Sequence, residues 1–260
     1  MDRTDALKNQ HEAAYEALLQ VDRLCRENGI SYFLLAGTVL GAVRHGGFIP
    51  WDDDVDVGMT PENLRRFCEA CKTKLPEDFV WSHPDTNPAH PRFFGKIVRK
   101  GRHCLDVFPV VPTSDDPRAR KKQWRQRLLL HTMYLRKVGV PFNFQNLSAK
   151  SVLMYFGSLV LSLFWSRENI LKKADAVMNR FEHEKTEYYV NICSRYRLEK
   201  ELIRREWAED LQPIRFEGGL FPAFADTHAY LSHLYGDYMT LPPEAERTAA
   251  HADQFFDFYG

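Results

Sequence analysis

Residues 33–59 read Phe33-Leu-Leu-Ala-Gly-Thr-Val-Leu-Gly-Ala-Val-Arg-His-Gly-Gly-Phe-Ile-Pro-Trp-Asp-Asp-Asp-Val-Asp-Val-Gly-Met59. Leu34, Leu35 and Ala36 read as a buried strand that ends in a tight Gly37-Thr38 turn. A short helix over 39–45 follows, and a second strand opens among clustered aspartates. A strand, a phosphate-sized turn and paired acids make phosphoryl-group chemistry the leading expectation.

Asp54, Val55, Asp56 and Val57 alternate charged and apolar. Successive side chains of a strand point to opposite faces, so Asp54 and Asp56 share one face while the valines enter a core. Two like charges held that close repel unless a cation intervenes. Mg²⁺, with Mn²⁺ as its substitute, takes carboxylate oxygens and keeps positions open for phosphate. The competing reading is a solvated acidic turn after Ile49-Pro50. Gly37-Thr38 invites a similar choice. Backbone N–H groups at a helix start bind phosphate, and glycine permits close approach, yet an ordinary turn with Thr38 as cap explains the same residues. A third acid, Asp106, sits between Leu105 and Val107 in the β-prone run His103–Pro109. An acid in a strand core is seldom buried unless it is paired or binds metal, although a strand-end surface position is the alternative. Two metal ligands, a further acid and a phosphate turn together suit an in-line displacement.

The string Gly37 to Asp56 resembles the LicD family, whose pattern is roughly G-T-x-L-G-A-x-R-H-x-G-F-I-P-W-D-D-D-x-D and which includes the fukutin-related proteins. Leu105-Asp-Val-Phe-Pro109 resembles its second acidic strand. Phe216-Glu-Gly and Tyr235-Gly-Asp-Tyr-Met-Thr-Leu-Pro-Pro243 resemble its C-terminal signature. The resemblance runs from near residue 30 to near residue 251, with a divergent middle. It implies an α+β, nucleotidyltransferase-like core with a mixed sheet flanked by helices. It also implies a phosphotransferase for substituted phosphate groups, which moves phosphocholine or a related phospho-alcohol from a CDP-activated donor to a glycan hydroxyl. Carried over, Asp54 and Asp56 are the metal pair, Asp106 the third carboxylate and candidate general base, and Gly37 and Thr38 the holders of donor phosphates. Asp52 and Asp53 read as turn residues ahead of the strand.

The 260 residues can bury a sizeable core as one domain with an insertion. Lys plus Arg equals Asp plus Glu, at 35 each, which gives no argument for nucleic acid as a partner. The start, Met1 to Asp5, lacks a signal-peptide layout, and Cys25, Cys68, Cys71, Cys104 and Cys193 show no disulfide framework. A cytoplasmic setting follows as the expectation. Cys68 and Cys71 lie in a predicted helix over 62–74 without a second pair, which argues against zinc. Leu7, Ala14, Leu18, Val21 and Cys25 recur at helical spacing, so 4–28 reads as an amphipathic helix ended by Asn28-Gly29. Strands are expected near 31–36, 54–59, 93–99, 103–109 and 188–192, and a scaffold helix over 169–184. Lys96 and Arg99 face either the donor phosphates or solvent. Arg44 is a phosphate candidate because its fork matches phosphate oxygens, whereas His45 reads as structural. Around Tyr235-Gly-Asp-Tyr238 aromatics flank an acid, which suits either a glycan site or a packed C-terminal turn, and Glu217, Asp237 and His251 are weaker site candidates for the same reason.

The middle differs in chemistry. Arg118, Arg120, Lys121, Lys122, Arg125, Arg127, Arg136, Lys137 and Lys150 fall in a stretch with no acid, and residues 152–165 carry no charge. Fourteen residues are too few to span a bilayer, which takes about 20. The segment reads either as a helix lying in the membrane interface, peripheral on the inner face of the membrane, or as a buried core helix. The division expected is a catalytic core over 1–115, a basic and apolar helical segment over 116–185, and a part over 186–260 that completes the core and acceptor site. The rival functions are transfer of the nucleotide itself, and non-catalytic glycan binding at a membrane surface.

Overall fold

The computed structural model describes residues 3–100, 102–140 and 149–247. His251 lies outside them. The first helix, α1 (Arg3–Asn28), stops where Gly29 takes a left-handed φ of 59°. Its stripe Ala14, Ala17, Leu18, Val21 and Cys25 is buried, as the helical spacing requires. Next come β1 (Phe33–Leu34), α2 (Ala36–His45), β2 (Val55–Met59) and α3 (Pro61–Lys74).

The strand expected over 31–36 is only two residues long. Leu35 caps α2, and Ala36 begins it with a φ of 44°, a region that a residue with a Cβ rarely adopts. Gly37 and Thr38 therefore lie inside the first helical turn instead of ahead of it. The run expected over 93–99 also starts late. β3 (Phe79–Ser82) pairs with β4 (Gly95–Arg99), while Phe93 and Phe94 leave the strand for a second apolar cluster.

The longest strand, β5 (Arg102–Thr113), organises the sheet. Its first half is flanked by β2 and β4, in the order β1-β2-β5-β4-β3. β2 runs parallel to it and β4 antiparallel. Its second half, Val110–Thr113, pairs with β6 (Tyr188–Asn191), which pairs with β7 (Leu202–Arg204). The strand extends beyond the expected 103–109 because this second partner continues the ladder. Between β5 and β6 lie α4 (Pro117–Lys137), α5 (Ala149–Leu163) and α6 (Arg167–Met178). Asp116 caps α4 by accepting from the Arg118 amide, and Ser166 caps α6 by accepting from the Asn169 amide. α6 ends before the expected residue 184, with Asn179 as its cap. Next come α7 (Arg205–Glu209), the hairpin β8 (Leu211–Phe216) and β9 (Gly219–Phe224), and α8 (Thr227–Tyr235), followed by a single 3₁₀ turn (Glu244–Glu246). The architecture is thus a mixed α/β fold, its sheet flanked by helices.

One core gathers α1, β1, β2, the first half of β5 and the β8–β9 hairpin. The other lies between β5, β6, α4 and α6. Beside the second core are the buried polar residues Arg127, His131, Ser194 and Glu201. Ser194 donates its hydroxyl to the Glu201 carboxyl. Burial pushes that carboxyl up to about 7, against the opposing pull of Ser194 and of the Arg127 and Arg195 guanidiniums. An acid whose folded pKa is raised stabilises the fold fully only below its unfolded pKa, and that stability is lost as pH rises through the folded value. Glu201→Gln is therefore expected to exceed the wild type in stability at pH 8 by roughly 1–3 kcal/mol, with the gap closing toward pH 4. Urea melts across this range check the sign. A gap that does not change with pH would remove the titration of Glu201 from the account.

Candidate active site

The parallel register sets Asp56 beside Asp106, with Val55 beside Leu105 and Val57 beside Val107. All four apolar partners are fully buried on the opposite face. Asp54, one residue ahead of β2, has the parity of Asp56. One carboxylate oxygen from each of Asp54, Asp56 and Asp106 lies within 4.8 Å of the others. Asp54 and Asp106 are buried and Asp56 is half-buried. Burial, followed by the charges of Asp54, Asp106 and Asp52, raises Asp56 well above the ordinary carboxylate range, with Lys96 pulling the other way. Three hard oxygen donors under mutual repulsion suit Mg²⁺ or Mn²⁺. Among the described residues, the groups that bring three metal-ligating side chains this close consist of aspartates. Cys68 and Cys71 take no part, and burial pushes the Cys68 thiol up to about 12.

Lys96 supplies a counter-charge from β4. It lies across from Asp106, and its Nζ donates to Oδ1 at 2.7 Å and Oδ2 at 3.0 Å. Two further cations, on loops, interact electrostatically with the cluster. Burial lowers the Arg92 pKa while Asp106 attracts its charge, and Arg195 is electrostatically coupled to Asp56. Sequence reasoning missed both, because each is an isolated arginine that only the fold brings to the acids.

The backbone around the acids is tied from several sides. Leu35 N donates to the Asp56 carbonyl at 2.9 Å, and Asp56 N donates to Thr38 Oγ1 at 2.8 Å. The Thr38 hydroxyl thus holds the strand that bears Asp56. A Cβ on Gly37 would come within 2.9 Å of Asp52 Oδ2, so glycine lets that carboxylate lie against the start of α2, where anions are stabilised. Asp52 stands in the turn ahead of β2, as expected, and it also adds charge to the cluster and joins Asp53 and Asp54 in a second acidic group within 4.8 Å. From α1, Gln10 Nε2 donates to the Asp53 carbonyl at 3.0 Å, and His11 Nε2 lies 2.6 Å from the Asp52 carbonyl.

Other candidates stand elsewhere. Arg99 follows a bulge at Ile97/Val98 and turns away to pair with Glu16 and Asp78. Arg44 donates to the Tyr238 carbonyl at 2.8 Å. Glu217 Oε1 accepts from the Phe48 amide at 3.0 Å, and its own amide donates to the Gly46 carbonyl at 3.1 Å. It fastens the turn leading to the acids. Exposed Asp237 accepts from Thr240 Oγ1 at 2.6 Å. Tyr235 stands edge-on to Tyr196, with ring centroids 6.2 Å apart, and is electrostatically coupled to Asp56.

Residues 29–135 match the family model described as LicD/FKTN/FKRP, nucleotidyltransferase domain. Over that span the chain is similar to the LicD family. The matched span contains Asp54, Asp56, Lys96 and Asp106. Similarity extends further in one relative, the lipopolysaccharide cholinephosphotransferase LicD of Haemophilus influenzae. It is 24% identical over 270 residues, covering 96% of this chain and 97% of that one. The ribitol 5-phosphate transferase FKRP of Homo sapiens is 43% identical over 90 residues, 32% of this chain and 17% of that protein.

Crowding of charge at Asp56 has a measurable consequence. Asp56→Asn is expected to melt at least about 2 °C above the wild type at pH 8 without divalent cations, because it removes a carboxylate whose raised pKa costs stability as pH rises. Added Mg²⁺ or Mn²⁺ should raise the wild-type melting temperature and leave that of the variant nearly unchanged. Equal shifts in both proteins would detach cation binding from these acids.

Proposed function

We propose that this protein transfers a phospho-alcohol, phosphocholine foremost, from a CDP-activated donor to a glycan hydroxyl in lipopolysaccharide, teichoic acid or a similar surface polymer. The observation that carries this reading is the convergence of Asp54, Asp56 and Asp106 inside the family-matched span of a chain similar along nearly its whole length to a cholinephosphotransferase. We assign residues 1–115 to a nucleotidyltransferase-like catalytic core, 116–185 to a helical insertion and 186–260 to completion of the core and acceptor site, with the work done on the cytoplasmic side.

Asp54 and Asp56 would hold the divalent cation, which when bound neutralises charge on the donor diphosphate. Asp106 takes the proton of the acceptor hydroxyl, a role worth on the order of 10²–10⁴ in rate. Lys96 balances Asp106 and meets the donor phosphates. Gly37 leaves room for a phosphate at the start of α2 once Asp52 yields its place, and Thr38 keeps Asp56 in position. CMP is the leaving group. The family model's own description favours a second reading, transfer of the nucleotide itself.

The test incubates the protein with CDP-choline, CDP-ethanolamine, CDP-ribitol or CDP-glycerol and a glycan acceptor, and follows CMP release. Asp56→Ala is expected to lose at least about 10²-fold in rate. CMP release by that variant at the wild-type rate would sink the mechanism. Mass spectrometry of the glycan separates the two readings, since the added mass is a phospho-alcohol in one and a nucleoside monophosphate in the other.

A further inference from the structure

We propose that the outer face of α5 docks on the surface of an anionic lipid bilayer. The described side chains of this helix have reversed polarity. Ser158 and Ser162 are buried, whereas Phe156, Leu159, Val160, Leu161 and Leu163, and Phe164 just past the helix end, are exposed, Leu163 at 73% and Phe164 at 81%. Of the eleven exposed large apolar side chains among the described residues, six lie in these nine positions. A surface helix in water turns its apolar stripe inward. Here the serines face the protein, where Ser162 Oγ donates to the Leu159 carbonyl at 2.8 Å, and leucine and phenylalanine face out. An apolar patch of this kind marks an interaction surface.

Charge selects the occupant. From Pro117 to Arg167 the chain has ten Lys and Arg and no Asp or Glu, although the whole protein is neutral. α4, against which α5 packs, exposes Arg118, Lys122, Arg125 and Lys137. A second copy docking through this region would bring the same positive charge to its own contact. A bilayer with anionic headgroups offers the opposite charge beside an apolar layer, the combination that holds interfacial helices. Length excludes a crossing. The fifteen residues of α5 extend about 22 Å, short of the roughly 30 Å hydrocarbon layer, and no helix among the described residues is long and apolar enough to span one. This inference stands apart from the reaction proposed above.

Flotation of the full chain with phosphatidylcholine vesicles, with and without phosphatidylglycerol, tests it. The wild type is expected to float with the anionic vesicles at low salt and to be released at high salt. Leu163→Ser with Phe164→Ser should weaken that binding by about tenfold or more. Lys122→Glu with Arg125→Glu should abolish the preference for anionic lipid. Both variants should keep the wild-type thermal melt, since the altered side chains are exposed. Three results would overturn the inference: a wild type that stays unbound at low salt, a serine variant that floats as well as the wild type, or a dimer that the serine variant dissolves while neither protein floats.

Discussion

Repulsion between Asp56 and Asp106, held side by side across a parallel strand pair, is the constraint on which the site depends. Apolar burial on the other face holds them there. Val55, Val57, Leu105 and Val107 are fully buried, and each such side chain contributes about 1.5–3 kcal/mol. A slip of β2 by one residue would drive Asp56 into that core and part it from Asp106. The same alternation that secures the sheet therefore forces the acids together. Parallel pairing gives the site its depth: β5 is flanked on both sides, and Asp106 lies within the sheet instead of on its edge.

Much of the surrounding structure fixes the backbone that bears the acids. Thr38 accepts from the Asp56 amide, Gln10 reaches the Asp53 carbonyl, and Glu217 fastens the turn at Phe48. The left-handed Ala36 belongs to the same frame, its amide donating to Tyr230 Oη at 3.1 Å. Strained positions persist where surrounding contacts over-determine them. These ties come from α1, α2, α8 and the β8–β9 hairpin, elements far apart in sequence. A carboxylate cluster fixed this way cannot relax its repulsion by moving the chain, so the remaining routes are a proton or a cation.

The parts legible in sequence were those written in short-range pattern. The parity of Asp54 and Asp56, the lone acid between Leu105 and Val107, and the apolar stripe of α1 each report a local periodicity, and each was read in its place. What escaped depends on contacts across the chain. Arg99 is an exception: three residues from Lys96, it falls on the opposite face of β4 by simple alternation, where it pairs with Glu16 and Asp78. Glu217 carried no local mark of its bond to Phe48. Asp52 had the right parity, yet its approach to Gly37 follows from how the turn at Pro50 and Trp51 folds back. Residues 152–165 were ambiguous in principle, since composition alone does not separate a buried helix from an interfacial one. The exposure of Leu163 and Phe164 rules out a fully buried helix and is the observation on which the bilayer proposal rests.

The charges around the cluster are not evenly matched, and the imbalance distinguishes the acids. Lys96 contacts both oxygens of Asp106, so that acid has its counter-charge on the neighbouring strand. For Asp56 the combined effect of burial and of three nearby aspartates outweighs Lys96. A cation entering the cluster would thus relieve the crowding of charge chiefly at Asp56. In the proposed reaction a donor diphosphate would then draw Lys96 toward its own oxygens. Asp106 would be left with less of its counter-charge at the moment the donor is in place. In that reaction the asymmetry of one lysine among several acids would divide the labour between carboxylates that the sheet holds side by side.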